Sequence, residues 1–195
     1  MGHSRFEKTK THKRIVSIAS RKFREEGLAG VGIAELMKEA GLTVGGFYKH
    51  FDSRNDLVAE AVCSALGGWK RRVDAAKTGG RSVSFATLID DYLSEAHRDN
   101  PGTGCAFSAL AAEIARSNKK TRAVTSEQVR NDIQLIATLL PRSDKRTARS
   151  RATLIFTALV GAMSLARAVS DEPLSREILK TVGELLKNSA ANQSF

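Results

Sequence analysis

The stretch Ile33–Leu57, IAELMKEAGLTVGGFYKHFDSRNDL, fixes how the rest of the chain is read. Ile33, Leu36, Met37 and Ala40 fall at i, i+3, i+4 and i+7, one apolar stripe of an amphipathic helix, and Gly41 follows where a left-handed C-cap belongs. Thr43 is placed to cap a second helix, and Leu42 just before it can staple onto Phe47. Phe51 continues the Phe47 face, so the opposite face presents Val44, Gly45, Tyr48, Lys49 and His50. Ser53 and Asp56 form a capping-box-like pair that starts a third helix at Arg54 and sets its positive end beside the second, where a phosphate would fit.

A short second helix held by the first, small at its N-terminal end and basic beyond, is the layout of a helix-turn-helix that reads the major groove of DNA. Adjacent glycines at 45 and 46 cost a helix roughly 1 kcal/mol each relative to alanine. Close approach of the backbone to DNA is a physical reason to keep them. The run G-L-T-x-G-x-F-Y-x-H-F-x-S-R-x-D-L, residues 41–57, resembles the DNA-binding signature of TetR-type transcriptional repressors, and the resemblance covers the first sixty residues or so. Gly32 departs from the helix-capping Ser or Thr of that pattern and Arg54 from its Lys. The resemblance implies that Thr43, Tyr48, His50 and Arg54 hold phosphates while Val44, Gly45 and Lys49 face base edges; phosphate contacts position and base contacts specify.

Composition sets wider bounds. The 195 residues are 42% hydrophobic, enough for a buried core, and Pro101, Pro141 and Pro173 punctuate helical patterns with no alternating strand run between them. The expected fold is all-α. A formal charge of +10 and a pI near 9.9 suit an anionic partner. That charge is spread, with eleven Lys and Arg against seven acids in residues 1–57 and twenty against fourteen beyond. No apolar run approaches the ~20 residues of a membrane span, and the polar N-terminus has no signal-like region, so a cytoplasmic protein without a membrane partner is expected. Cys63 and Cys105 form no disulfide framework, the four histidines no metal motif, and no nucleophile, base and orienter converge in the sequence. The expectation is no enzyme, no metal and no cofactor.

Before the central stretch, residues 1–8 read as a basic arm, from whose neighbourhood Arg5, Lys8 and Lys10 can reach phosphates, and Ile15, Ile18, Ala19 and Phe23 stripe a supporting helix from about Thr11, ended by Gly27. After it, one helix is expected from Arg54 to about Lys77, softened at Gly67-Gly68 and broken at Gly79-Gly80. Amphipathic stretches then follow at 85–96, 105–116 and 129–140. The longest helix is expected from about Ser143 to Val169, with two apolar faces: Ala152, Ile155, Phe156, Leu159, Met163 and Ala166 on one, and Leu154, Ala158, Gly161, Leu165 and Val169 on another. Leu174, Ile178, Val182 and Leu185 stripe the last helix. Two apolar faces need two partners, either within one bundle or in a second copy of the chain. The family resemblance favours the second copy, a homodimer paired through the last two helices.

The expected organisation is thus an N-terminal three-helix helix-turn-helix domain, residues 1–53, and a C-terminal helical ligand-binding and dimerisation domain, residues 54–195. The resemblance implies a repressor on a palindromic double-stranded DNA operator, released by a small-molecule inducer. Candidate ligand-contacting residues are Trp69, Tyr92, Phe107 and Phe156, aromatics at helical spacing of a kind that is more often plain core, together with Cys105. Cys105 follows Thr103-Gly104 at an expected helix start, where the dipole favours a thiolate, and a Gly-Cys pair there resembles electrophile- and oxidant-sensing members of the family. A ligand-carrying or partner-binding helical bundle would account for the C-terminal half, but not for the glycines and Tyr48.

Overall fold

The computed structural model describes residues 2–78, 84–140 and 144–192, and among them every regular element is a helix. In chain order these are α1 (Gly2–Gly30), α2 (Ile33–Glu39), a 3-10 helix (Val44–Lys49), α3 (Arg54–Leu66), α4 (Gly68–Thr78), α5 (Phe85–Tyr92) and α6 (Glu95–Asp99). A short 3-10 turn (Pro101–Thr103) leads to α7 (Ala106–Ala115), α8 (Lys119–Leu139), α9 (Lys145–Ala168) and α10 (Glu172–Asn192). The expected Gly79-Gly80 break and the positions Pro141 and Ser143 lie outside the described residues. Packing divides the chain into two compact units, residues 1–66 with 101–126 and residues 67–100 with 127–195.

In the first unit α1 is the central support. Its Ile15, Ala19 and Phe23 are buried, and it packs against α3, α7, α2 and the Pro101–Thr103 turn. The backbone breaks where the sequence has Gly27, at φ 81° and ψ 164°, a region open essentially to glycine alone. There Leu28 N–H donates to Glu113 Oε2 on α7 at 2.6 Å, and a Cβ on Gly27 would meet Glu113 Oε1 at 2.9 Å. The other end differs from expectation: the helix expected from about Thr11 already runs through residues 2–10, where the sequence suggests a separate basic arm. Nothing in their sequence interrupts the helical backbone, since the first glycine or proline after Gly2 is Gly27.

In the second unit α9 lies along α10, with α5 on α10 and α6 on α9. All six residues of the first expected α9 stripe are buried, whereas Leu154 and Leu165 of the second are 48% and 58% exposed. On α10 the side facing α5 and α9 is Ser175, Leu179, Gly183 and Leu186, leaving Leu174 and Leu185 outward. A Cβ on Gly183 would stand 3.5 Å from Leu93 Cδ1, an ordinary contact, so the packing there does not require glycine. By length and composition alone α9 is apolar enough to cross a membrane, unlike the expectation that no segment is, and its apolar stripe from Ala152 to Ala166 is buried within the helical unit. Two further expectations are corrected. The helix from Arg54 is two helices, α3 ending at Leu66 and α4 starting at Gly68, and the 85–96 stretch is also two, with Ser94 capping the second by accepting from His97 N–H at 3.1 Å.

A candidate nucleic-acid interface and an effector cleft

The turn after α2 is built from backbone alone. Gly41 sits at φ 69°, its N–H donates to Lys38 O at 3.0 Å, and Leu42 N–H reaches back to Met37 O at 2.8 Å, the paired bonds of a Schellman cap. Thr43 takes the extended N-cap backbone of the next segment, but its side chain makes no cap bond. That segment is a six-residue 3-10 helix, not the expected α-helix, consistent with two glycines in its first turn. Phe47 anchors it. Its ring is 0% exposed, lies 5.3 Å from the Phe51 ring, and takes the Tyr48 ring edge-on at 5.2 Å.

With Phe47 inward, Thr43, Val44, Gly45, Tyr48 and Lys49 are exposed together, Val44 by 49% and Tyr48 by 69%. Five of the seven residues expected at the DNA therefore share one open surface. Nothing in the fold explains Gly45, whose added Cβ would meet no atom within 4 Å, and at Gly46 the nearest, Met37 Cε at 3.6 Å, is an ordinary contact. Neither glycine takes a positive φ, which among the described residues belongs to Gly27 and Gly41 alone.

His50 and Arg54 sit deeper. His50 is half-buried with Nδ1 lacking a partner, and its pKa is lowered first by desolvation and then by the nearby charges of His12, Lys8 and Lys49. Burial and the neighbouring positive groups thus disfavour the protonated ring, which sits in a basic cluster flanking the exposed face. His12, which the sequence did not single out, stacks on Phe51 at 4.5 Å and donates from Nε2 to Glu60 Oε2 at 2.6 Å. Arg54 turns inward. Its Nη2 donates to Leu28 O and to Val31 O at 3.1 Å, and its guanidinium lies 5.9 Å from the Phe23 ring centroid, so it ties α3 to the α1–α2 connection. At the start of α3 the Ser53–Asp56 pair forms: Asp56 N–H donates to Ser53 Oγ at 3.2 Å, and the Ser53 hydroxyl donates to Asp56 Oδ2 at 2.7 Å. Lys120 Nζ, 2.6 Å from Asp56 Oδ1, and then Ser53 hold that carboxyl below its ordinary pKa. The expected phosphate seat at this helix end therefore already carries a carboxylate.

Residues 15–61 match the model of the bacterial regulatory proteins of the tetR family, and residues 83–182 match the C-terminal domain of LmrA/YxaF-like transcriptional regulators. The chain belongs to the tetR family. An uncharacterized HTH-type transcriptional regulator of Haemophilus influenzae is 22% identical over 191 residues, covering 89% of this chain and 88% of the relative. Among solved structures, SCO4454, a TetR-family regulator from Streptomyces coelicolor, is 25% identical with a TM-score of 0.67 over 93% of this chain and 97% of its own. A TetR regulator from Chloroflexus aurantiacus is 23% identical with a TM-score of 0.73 over 93% and 96%. This tetR-family chain is accordingly an all-helical transcriptional regulator whose N-terminal part is a DNA-binding helix-turn-helix.

The residues expected to touch a ligand fall in both packing units of the regulator. Cys105, half-buried, and Phe107, buried, lie at the start of α7 in the first. Trp69, Tyr92 and Phe156 are buried in the second, where the Trp69 and Tyr92 rings are 4.9 Å apart and His97 meets Tyr92 edge-on at 4.7 Å. None of the five lines the cleft of about 700 Å³ between α4 and the second half of α8. Gly67, Lys70, Arg71 and Asp74 form one wall of that cleft, and Gln128, Asn131, Asp132 and Leu135 much of the other. Asp132 is 1% exposed, and burial pushes its pKa up to about 6. Gln128 Nε2 donates to its Oδ1 at 2.8 Å, and Oδ2 has no partner. A signal for it was present: Asp132 interrupts the apolar stripe of Val129, Ile133, Ile136 and Leu140, an acid on the face that turns inward.

Arg98 is a second buried charge, and it is fully engaged. It is 8% exposed and donates to Asp99 Oδ1 at 2.7 Å, Ser175 Oγ at 2.9 Å and Glu172 Oε1 at 3.0 Å. Arg167 of α9 adds bonds to the His97 and Arg98 carbonyls at 2.7 and 2.9 Å. The cluster ties α6 to α9 and α10, with the multiple hydrogen bonds that a buried guanidinium requires.

Proposed function

We propose that this regulator is a cytoplasmic homodimeric repressor that holds a palindromic operator through two copies of the segment Thr43–His50 and releases it when a small molecule binds the C-terminal half. The observation that carries this reading is the outward set of Val44, Gly45, Tyr48 and Lys49 on a segment pinned by buried Phe47, with glycines that no intramolecular contact requires. Val44, Gly45 and Lys49 face base edges. Thr43, Tyr48 and His50 hold phosphates, with Lys8 beside His50 adding charge. Arg54, occupied by two carbonyls, supports the segment more than it reaches DNA. The outward leucines 154, 165, 174 and 185 of α9 and α10 supply the apolar face for the second copy, and the dimer fixes the spacing of the half-sites. Release needs only a different ligand affinity in the DNA-competent and DNA-incompetent conformations.

A mobility shift with the DNA upstream of the protein's own gene, run at several salt concentrations, tests this. Specific binding with a steep salt dependence is expected. Lys49→Ala should lower affinity about tenfold to a hundredfold, the equivalent of a base contact worth about 1–3 kcal/mol. Tyr48→Ala should weaken every sequence alike. Equal, weak binding of all DNA by the wild-type protein would sink the repressor.

A further inference from the structure

Asp132 is a buried acid with an unmet need. Among the buried side-chain atoms without a hydrogen-bond partner its Oδ2 is the only carboxylate oxygen in the described residues, and Asp132 lines a cleft large enough for a small organic molecule. A buried carboxylate left half-satisfied costs stability, so its retention calls for an explanation, and a donor arriving from outside is one that the adjoining cleft can admit. The neighbouring cations do not meet the need. Lys70 Nζ is taken by Asp74 Oδ2 at 2.6 Å, and Arg71 lies back over Gly67, where an added Cβ would be 2.7 Å from Arg71 Nη1. The remaining walls are neutral: the amides Gln128, Asn131 and Gln134, the Thr138 hydroxyl and the Leu135 side chain. Such walls accept a body of mixed polarity but offer no second charge to an anion from the α8 side.

We propose that the α4–α8 cleft is an effector site and that Asp132 selects its ligand class, small organic molecules carrying a protonated primary or secondary amine whose N–H donates to Oδ2. A quaternary ammonium has the charge but no donor, and an alcohol the donor but no charge; the amine supplies both. This assignment rests on the ligand-responsive reading above and names the chemistry of its site.

The test uses the full chain and the fluorescence of its single tryptophan, Trp69, which lies on α4. Phenethylamine, 2-phenylethanol and phenylacetate present nearly the same body with a cationic, neutral or anionic end. The wild-type protein should bind phenethylamine about tenfold or more tightly than the other two, the span of a charge-assisted hydrogen bond. Asp132→Asn should erase that preference with no loss of melting temperature, and Asp132→Glu should keep part of it. Equal affinity for amine and alcohol, absence of amine binding at millimolar concentration, or a preference surviving in Asp132→Asn each overturns the assignment. A parallel mobility shift separates the two readings. Amine binding through Asp132 that leaves DNA affinity unchanged upholds the site and overturns ligand-responsive release; amine-driven release that persists in Asp132→Asn upholds release and overturns the site.

Discussion

The recognition segment and the α4–α8 cleft each invert the usual placement of side chains, in opposite senses. Around Thr43–His50 large apolar groups, Val44 and Tyr48, stand in water on a rigid base, while at the cleft an acid, Asp132, is sealed from it. Neither arrangement helps the isolated chain fold. An exposed aromatic forgoes burial worth about 1.5–3 kcal/mol, and a buried unpaired carboxylate oxygen costs about as much. The difference teaches where to look for partners: outward apolar and cationic groups for a polyanion with apolar groove edges, inward anionic groups for a small cation.

The sharpest division is between two adjacent residues. Phe47→Ala removes a ring with no exposed surface and should destabilise the protein by about 3–5 kcal/mol. Tyr48→Ala should move thermal stability by less than about 0.5 kcal/mol while weakening DNA binding, and comparable losses of stability in both variants would erase the contrast.

At the cleft, stability itself should depend on Asp132 and pH. Burial raises its folded-state pKa to about 6, from an ordinary value of 3.8. The folded protein therefore binds the proton more tightly than the unfolded chain does. Its favourable contribution is full below pH 4, falls as pH rises through 6, and is gone by neutrality. The full change is on the order of 3 kcal/mol. Asp132→Asn should remove this part of the slope in urea unfolding between pH 4 and 7 and make the protein more stable than wild type at pH 7. An unchanged slope would show that Asp132 is not the buried acid described.

The outward leucines offer a third, intermediate effect. Leu165→Glu with Leu185→Glu should weaken self-association by about 2 kcal/mol or more, seen as monomer in sedimentation at micromolar concentration, while helicity is kept because both positions are solvent-facing in one chain. At Gly45 the expected effect falls on DNA binding and not on folding. Since a Cβ there meets nothing, Gly45→Ala should leave stability equal or higher by up to about 1 kcal/mol, and only DNA affinity should fall.

Much of the helix-turn-helix was legible because its decisive contacts are local. Gly41 closes on Lys38 and Met37, and Ser53 meets Asp56 within one turn, so short spacing alone indicates which atoms can meet. The two α9 faces were legible for the same reason, their period being that of a single helix. Other features depended on distant residues. Arg54 finds the carbonyls of Leu28 and Val31, the Gly27 kink finds Glu113, and Arg98 finds Ser175 and Glu172. The ligand candidates Trp69, Tyr92, Cys105, Phe107 and Phe156 do not line the α4–α8 cleft, because aromatic content marks burial in general, not the wall of one cavity.

By itself the sequence determined the all-helical class, the turn at Gly41, the outward set from Thr43 to Lys49 and two apolar faces on α9, all consequences of backbone preference and helical period. Only the tertiary structure decided that Arg54 faces inward onto the Leu28 and Val31 carbonyls, that the Gly27 kink meets Glu113 and that Arg98 is held by Ser175 and Glu172. Those outcomes depend on which distant groups crowd, pair with or desolvate a side chain, and no spacing along the chain encodes them.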